Sequence, residues 1–328
     1  MPPATSTAAA TGNGAPGPVD LAGNPLRLLM VHAHPDDETT TTGATAVRYA
    51  AEGVGIHLVT CTRGERGEIL DDELAARFAG LAPDDAAVRL GEHRIGELAT
   101  ACARLGIRDH RFLAGPGRWW DSGMAGTSTA SHPRAFSGGD LAGQAGLLAA
   151  VVQELRPQVV VTYNERGGYG HPDHVRAHEV TMAAVRPTAV GGHADGAWRV
   201  SKVYACVVPR SQMERAVAIL TSSDIEGPNP VDEVASTDDA PFAVPDELVA
   251  AHIDARAWLG AKADAMRAHR SQMSVNGWFF ALIERGGFGS EYYQLMEGSA
   301  SPPPGERWED DLFAGLRPAR MPSAPGPR

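Results

Sequence analysis

At 328 residues, 43% of them hydrophobic and 21% charged, the chain is long enough to bury a substantial core and has the balance of an ordinary soluble globule. Its formal net charge of −11 argues against nucleic acid or an anionic membrane as the main partner, because both demand basic patches. No stretch reaches the roughly 18 consecutive apolar residues that mark a membrane-crossing helix.

The first 24 residues are rich in Ala, Thr, Gly and Pro, with Asp20 as their one charge. They lack the basic start and apolar centre of a signal peptide and are expected to form a disordered tail. Arg27 to Ala33 reads as a first strand, a helix is expected over roughly Thr41 to Ala51 with Gly53 closing it, and Ile56 to Thr60 reads as a second strand. Strand, helix and strand in so short a span make a βαβ unit and a parallel sheet. The charged, glycine-rich loop Thr62 to Leu70 leaves a strand's C-terminal end, where loops line sites.

Further on, Ile95, Leu98, Cys102 and Leu105 recur at helical spacing within a helix over Ala86 to Leu105. His110 to Leu113 is a short strand, followed by a Gly- and Trp-rich segment ending at Gly126. Rings and a carboxylate on a loop suit a sugar, so Asp121 is the expected hydroxyl contact, with Trp119 and Trp120 as loop anchors. Residues 127–139 read as mobile, Leu141 to Leu155 as a helix and Val159 to Tyr163 as a strand. Val203 to Val208 reads as another strand, and the acidic run from Ser222 to Pro245 as a solvated loop or edge hairpin. A long helix is expected from Asp246 or Glu247 to about Gln272, then an aromatic stretch that packs over the site or joins an oligomer, then a Pro-rich tail after Leu316. The expected fold is α/β, a Rossmann-like, mostly parallel sheet flanked by helices, with a smaller C-terminal lobe. Residues 25–200 form its catalytic core, 201–316 complete the same domain, and 317–328 are a tail. Cys61, Cys102 and Cys206 have no paired spacing, which fits a reducing cytoplasm, and Cys61 at a strand end and Cys102 on an apolar helix face read as core thiols.

Two stretches carry the chemistry. His34-Pro35-Asp36-Asp37-Glu38 follows the first strand, and Gly170-His171-Pro172-Asp173-His174 follows the strand ending at Tyr163. Proline extends the residue before it and suits a first helical turn, so each motif turns strand into helix. His34, Asp37 and His174 thereby become three candidate ligands, the number that a catalytic zinc site takes from protein. Asp36 and His171 are left over to handle protons. His178 lies one turn past His174 and is expected to be structural.

The Ala33–Glu38 and His171–His174 stretches resemble the zinc-dependent N-acetylglucosaminyl deacetylases related to phosphatidylinositol-glycan class L enzymes. Cys61–Glu68, His93–Leu98 and Gly117–Gly126 look more narrowly like the mycothiol-biosynthesis branch of that superfamily. The resemblance implies removal of acetate from N-acetylglucosaminyl-inositol, a small soluble substrate, at one zinc per subunit. Fe²⁺ is also admitted by the ligand types. Asp36 is then the general base, Tyr169 and His171 stabilise the tetrahedral intermediate, and Asp173 holds His171 in one tautomer. The resemblance brings Arg94, Glu68, Asp121 and Met124 as substrate contacts. The rival within the superfamily is the mycothiol S-conjugate amidase, in which a lysine follows the first motif where this chain has Thr39-Thr40-Thr41-Thr42. A remoter one is the two-histidine, one-carboxylate site of iron oxygenases. The oligomeric state is left open.

Overall fold

In the computed structural model, residues 17–186, 196–222 and 243–318 are described. In chain order they form β1 (Arg27–His32), α1 (Asp37–Thr40), α2 (Gly43–Ala51), β2 (Gly55–Thr60), α3 (Asp72–Phe78), α4 (Pro83–Leu105) and β3 (Asp109–Phe112). Then come α5 (Leu141–Leu155), β4 (Val159–Thr162), the single turn α6 (Gly167–Gly170), α7 (Pro172–Val185), β5 (Lys202–Pro209) and α8 (Arg210–Thr221). The C-terminal part adds β6 (Ala243–Val244), β7 (Ala251–Asp254), α9 (Leu259–Met266), α10 (Trp278–Glu284) and β8 (Ser290–Glu297).

One sheet runs in the order β3-β2-β1-β4-β5-β8-β7, with β6 paired to β5 off this path. The first five strands are mutually parallel, while β8 is antiparallel to both β5 and β7. Strands β1 and β4 read as unbroken apolar runs, and their residues from Leu28 and Val159 onward are buried, as strands covered on both faces must be. Leu28, Met30, Val159 and Val161 pack into one layer with Leu98, Cys102 and Leu105 of α4; Leu29, Val31 and Val160 pack into the other with Leu148 and Val152 of α5. From β1 the chain moves outward through β2 to β3, then returns to place β4 on the other side of β1. The order therefore reverses between β1 and β4, and a crevice opens at their C-terminal ends.

Several expectations need correction. Residues 17–24 are held in place: Asp20 accepts from the backbone N–H of Ala22 and Asn24 and from the Gln158 side chain, and Leu21 N–H bonds to Leu316. The one charge in that segment is its anchor. At the other end Arg317 pairs with Asp311 and Glu52, and the remainder of each expected tail lies outside the described residues. So do residues 223–242 of the acidic run. The helix expected over roughly Thr41 to Ala51 is α2, preceded by the short α1, and between them the Thr39, Thr41 and Thr42 hydroxyls bond back to the carbonyls of Asp36, Asp37 and Glu38.

Segment 127–139 is exposed over much of its length but anchored at its end, with Ala135 and Phe136 buried and Arg176 reaching the Ser137 carbonyl. The long helix from Asp246 to Gln272 is instead a 3-10 turn, the strand β7, another turn and α9. Ala251 and Ile253 are buried while His252 and Asp254 are not, a period of two that pairs with β8. Part of the aromatic stretch enters the core: Tyr293 is buried in β8, and Phe280 packs on Met266 and Met273, while Trp278, Phe279 and Tyr292 are half-buried. On the same strand, Glu291 accepts the first free N–H groups of α2, from Ala44 and Thr45, and pairs with the buried Lys262 of α9. The C-terminal elements thus brace the helices that follow β1.

Candidate active site

The crevice between β1 and β4 collects the titratable groups. Pro35 ends the extended run, Asp36 adopts φ 112° and ψ −32°, and Asp37 falls in the first turn of α1. On the other side Pro172 opens α7, and the N-cap residue His171 accepts the Asp173 backbone N–H on Nδ1 at 3.1 Å. Gly167, at φ +63°, lets the chain turn tightly before it, because a Cβ there would stand 2.6 Å from the Val175 nitrogen.

The three expected ligands converge. His34 Nδ1 lies 3.6 Å from Asp37 Oδ2 and 3.3 Å from His174 Nε2, and His174 Nε2 lies 3.5 Å from the same Asp37 oxygen. Ligand atoms bound tetrahedrally at roughly 2.0–2.1 Å stand roughly 3.3–3.5 Å apart, so this triangle matches one face of such a site. The outer nitrogen of His34, Nε2, faces Asp173 Oδ2 at 3.3 Å, which leaves Nδ1 as the inward donor. His174 is likewise oriented by a hydrogen bond to the Gly167 backbone. The Asp37 oxygen also accepts the His34 N–H at 2.9 Å and the Tyr163 hydroxyl at 2.7 Å.

Electrostatics point to the same conclusion. Asp36, Asp37, Asp121 and Asp173 surround the imidazoles, and the permanent cation among them is Arg94. Burial opposes a charge on His34, but Asp121 and the hydrogen bond to Asp173 outweigh it and push the ring up to about 10. Burial, together with the other imidazoles, pushes His171 and His174 down to about 4. Asp37 is held well below the usual carboxylate range; burial opposes this, and His174 and His34 prevail. Burial pushes Asp36 up to about 6 against the pull of Arg94, with Asp37 adding to the rise. The carboxylates around the imidazoles therefore favour positive charge here, the kind of environment that a bound cation fits.

The Asp173 carboxylate is hydrogen-bonded to His34, and it also lies near the His171 ring, whose charged form it favours. The carboxylate accepts the Ser122 N–H and hydroxyl and faces the His34 ring, while the Asp173 backbone N–H is the group that donates to His171. With Nδ1 accepting, neutral His171 carries its proton on Nε2, 3.9 Å from Asp121 Oδ1. That same Asp121 oxygen lies 3.8 Å from His34 Nε2, so Asp121 belongs to the cluster itself.

Arg94, an expected substrate contact, is buried beneath the turn and beside Asp36. Its guanidinium donates to the carbonyls of Gly64 and Pro35 and to Asp36 Oδ2 at 3.0 Å. The inward face of α4 keeps the expected Leu98, Cys102 and Leu105 and is wider than expected, with Arg94 and Glu97 also buried and Ile95 half-buried. Gly64, at φ +68°, makes room, since a Cβ there would stand 2.0 Å from Arg94 Nη1. Glu68 and Met124 are exposed on their loops; the Glu68 carbonyl accepts from Gln272. Tyr169 is 44% exposed and sets its ring edge-on to His174, with centroids 5.0 Å apart. Trp120 is an anchor, stacked on His132 at 4.3 Å, and His178 bonds the Tyr163 carbonyl.

Sequence reasoning passed over Tyr163, Ser122, Glu38 and His269. A tyrosine ending a buried strand needs a partner for its hydroxyl, and that signal was available for Tyr163. Glu38 joins the site by accepting the Asp36 N–H on Oε2 at 2.8 Å and pairing with His269 through Oε1 at 2.7 Å.

The family model described as PIG-L, GlcNAc-PI de-N-acetylase, matches residues 29–185, which hold both motifs. A protein of Catenulispora acidiphila named 1D-myo-inositol 2-acetamido-2-deoxy-alpha-D-glucopyranoside deacetylase 3 is 53% identical, with 91% of this chain and 88% of that protein covered. A deacetylase of the same description from Geodermatophilus obscurus is 52% identical, with 88% of this chain and 98% of that protein covered. Among solved structures, the 4-carboxy-2-hydroxymuconate hydratase GalB of Pseudomonas putida superposes with a TM-score of 0.52 at 18% identity, over 85% of this chain and 99% of that one. The last likeness concerns the fold alone, and a hydratase on this fold illustrates that chemistry lies in the site.

Proposed function

The chain belongs to the PIG-L family of GlcNAc-PI de-N-acetylases, and we propose that it hydrolyses the acetamide of 1D-myo-inositol 2-acetamido-2-deoxy-α-D-glucopyranoside to acetate and the free amino sugar, a step of mycothiol biosynthesis. The observation that carries this reading is the triangle of His34 Nδ1, Asp37 Oδ2 and His174 Nε2, with Asp36 and His171 spare beside it. In this reading the three side chains hold one Zn²⁺, which when bound supplies Lewis acidity and lowers the pKa of water towards roughly 7.

The remaining residues handle protons and position. Asp36 Oδ2 is engaged by Arg94, so Oδ1 is the oxygen left to take a proton from the attacking water. His171 Nε2–H is the donor to the oxygen that gains charge as the amide carbon becomes tetrahedral, with the Tyr169 hydroxyl beside it. A proton must also reach the departing amine, and both Asp36, having just accepted one, and His171 can donate it. Asp121, between His34 and His171, keeps both rings turned inward. The three free cysteines fit a reducing cytoplasm.

The reading is tested by amine release from the acetamido-sugar inositol beside a mycothiol S-conjugate. Faster release from the first supports deacetylation. Preference for the conjugate moves the chain to the amidase reading, which the names of the relatives do not favour.

A further inference from the structure

We propose that His269 is a positioning residue for the hydrolytic site, acting through Glu38 to hold the backbone of Asp36 in its turn. The inference rests on the reading of Asp36 as the proton acceptor. Asp36 has a positive φ of 112°, a conformation that costs a non-glycine residue energy and persists only where surroundings enforce it. Three grips are visible on it. Arg94 holds Oδ2, the amides of Thr39 and Thr40 hold its carbonyl, and Glu38 Oε2 accepts its N–H at 2.8 Å.

The last grip depends on a residue 231 positions away. Glu38 and His269 are both fully buried, and His269 Nε2 meets the other Glu38 oxygen at 2.7 Å. With one oxygen fixed by the imidazole, the carboxylate cannot rotate, and its second oxygen stays aimed at Asp36. His269 is itself immobilised by the loop that carries it. Ser271 gives both its N–H and its hydroxyl to Glu97, Gln272 donates to the Glu68 carbonyl, and Leu70 N–H bonds to Ser271. The loop after α9 thus braces the turn after β1 from beneath. It touches none of the three metal-ligand side chains, so its effect is expected on turnover rather than on metal binding.

Two polar substitutions in the metal-loaded full-length protein separate this role from simple core filling. Glutamine places its amide nitrogen where Nε2 stands, whereas asparagine places it near Nδ1, short of Glu38. His269→Gln is expected to keep kcat within about threefold, while His269→Asn loses on the order of 10²-fold, with KM and metal content as in wild type. A His269→Asn protein with wild-type kcat, or one whose loss lies in KM or metal content, would overturn the proposal. Hydrogen exchange of the Asp36 amide gives a readout that needs no substrate. It is expected to be slow in wild type and His269→Gln and faster in His269→Asn; equal protection in all three would also overturn the proposal. Absence of turnover by wild type would sink the proposed function instead, and the exchange comparison would still decide the role of His269.

Discussion

Tyr163 donates its hydroxyl hydrogen to Oδ2 of Asp37 at 2.7 Å, and that oxygen is the one facing His34 and His174. The phenol in turn accepts the Ala33 N–H at 2.9 Å, so it ties the end of β1 to the end of β4 through a candidate ligand. Removing the hydroxyl frees the carboxylate to rotate. Tyr163→Phe is therefore expected to weaken metal binding by about 10–100-fold, measured by competition with a chelator, while the fold is kept. Unchanged affinity would mean that Asp37 is fixed by the His34 N–H alone.

Asp36→Asn keeps the shape of the turn and removes the proton acceptor. Turnover is expected to fall by about 10²–10⁴-fold with metal content unaltered, read from steady-state kinetics beside elemental analysis. A variant that loses its metal would show that Asp36 is a ligand rather than a base.

Gly64→Ala tests the packing beneath the turn. Its Cβ would meet the Arg94 guanidinium, and its φ of +68° disfavours any side chain. A loss of at least about 1–3 kcal/mol is expected in denaturant unfolding. A change below about 0.5 kcal/mol would show that Arg94 moves aside freely.

The His269–Glu38 pair predicts how stability depends on pH. Burial disfavours the charged ring, but Glu38 and, further off, Asp36 outweigh burial and Arg94, so the folded pKa is raised above its ordinary value. A raised histidine contributes its full stabilisation below about pH 6.5 and loses it as pH rises through the folded value. The stability gap between wild type and His269→Asn is thus expected to be widest in mild acid and to narrow in alkali. A gap that widens with pH would show that the buried ring is neutral throughout.

The sequence made the ligand triangle legible because both motifs follow apolar strands and proline sets the same strand-to-helix turn in each. Parallel pairing of those strands then brings His34, Asp37 and His174 together. Contacts that depend on tertiary packing were not legible. The helical pattern puts Arg94 at the edge of a face, and the Gly64 and Pro35 carbonyls together with the Asp36 carboxylate explain why it turns inward. The Asp173 contact with Ser122, 51 residues away, and through it the approach to His34, has no local signature in the sequence. The strand β7 was lost because four alternating residues are a weak signal beside an Ala-rich stretch that favours helix. His269 offered no local signal, since its meaning depends on Glu38.

The most direct test of the metal-centred site is acetate release from 1D-myo-inositol 2-acetamido-2-deoxy-α-D-glucopyranoside by chelator-stripped protein titrated with Zn²⁺. The expected result is inactive stripped protein whose turnover rises linearly to a plateau at one ion per chain, with no such rise in His34→Ala or His174→Ala. Stripped wild-type protein as active as the refilled sample would contradict the site, and refilled protein that releases no acetate would contradict the substrate.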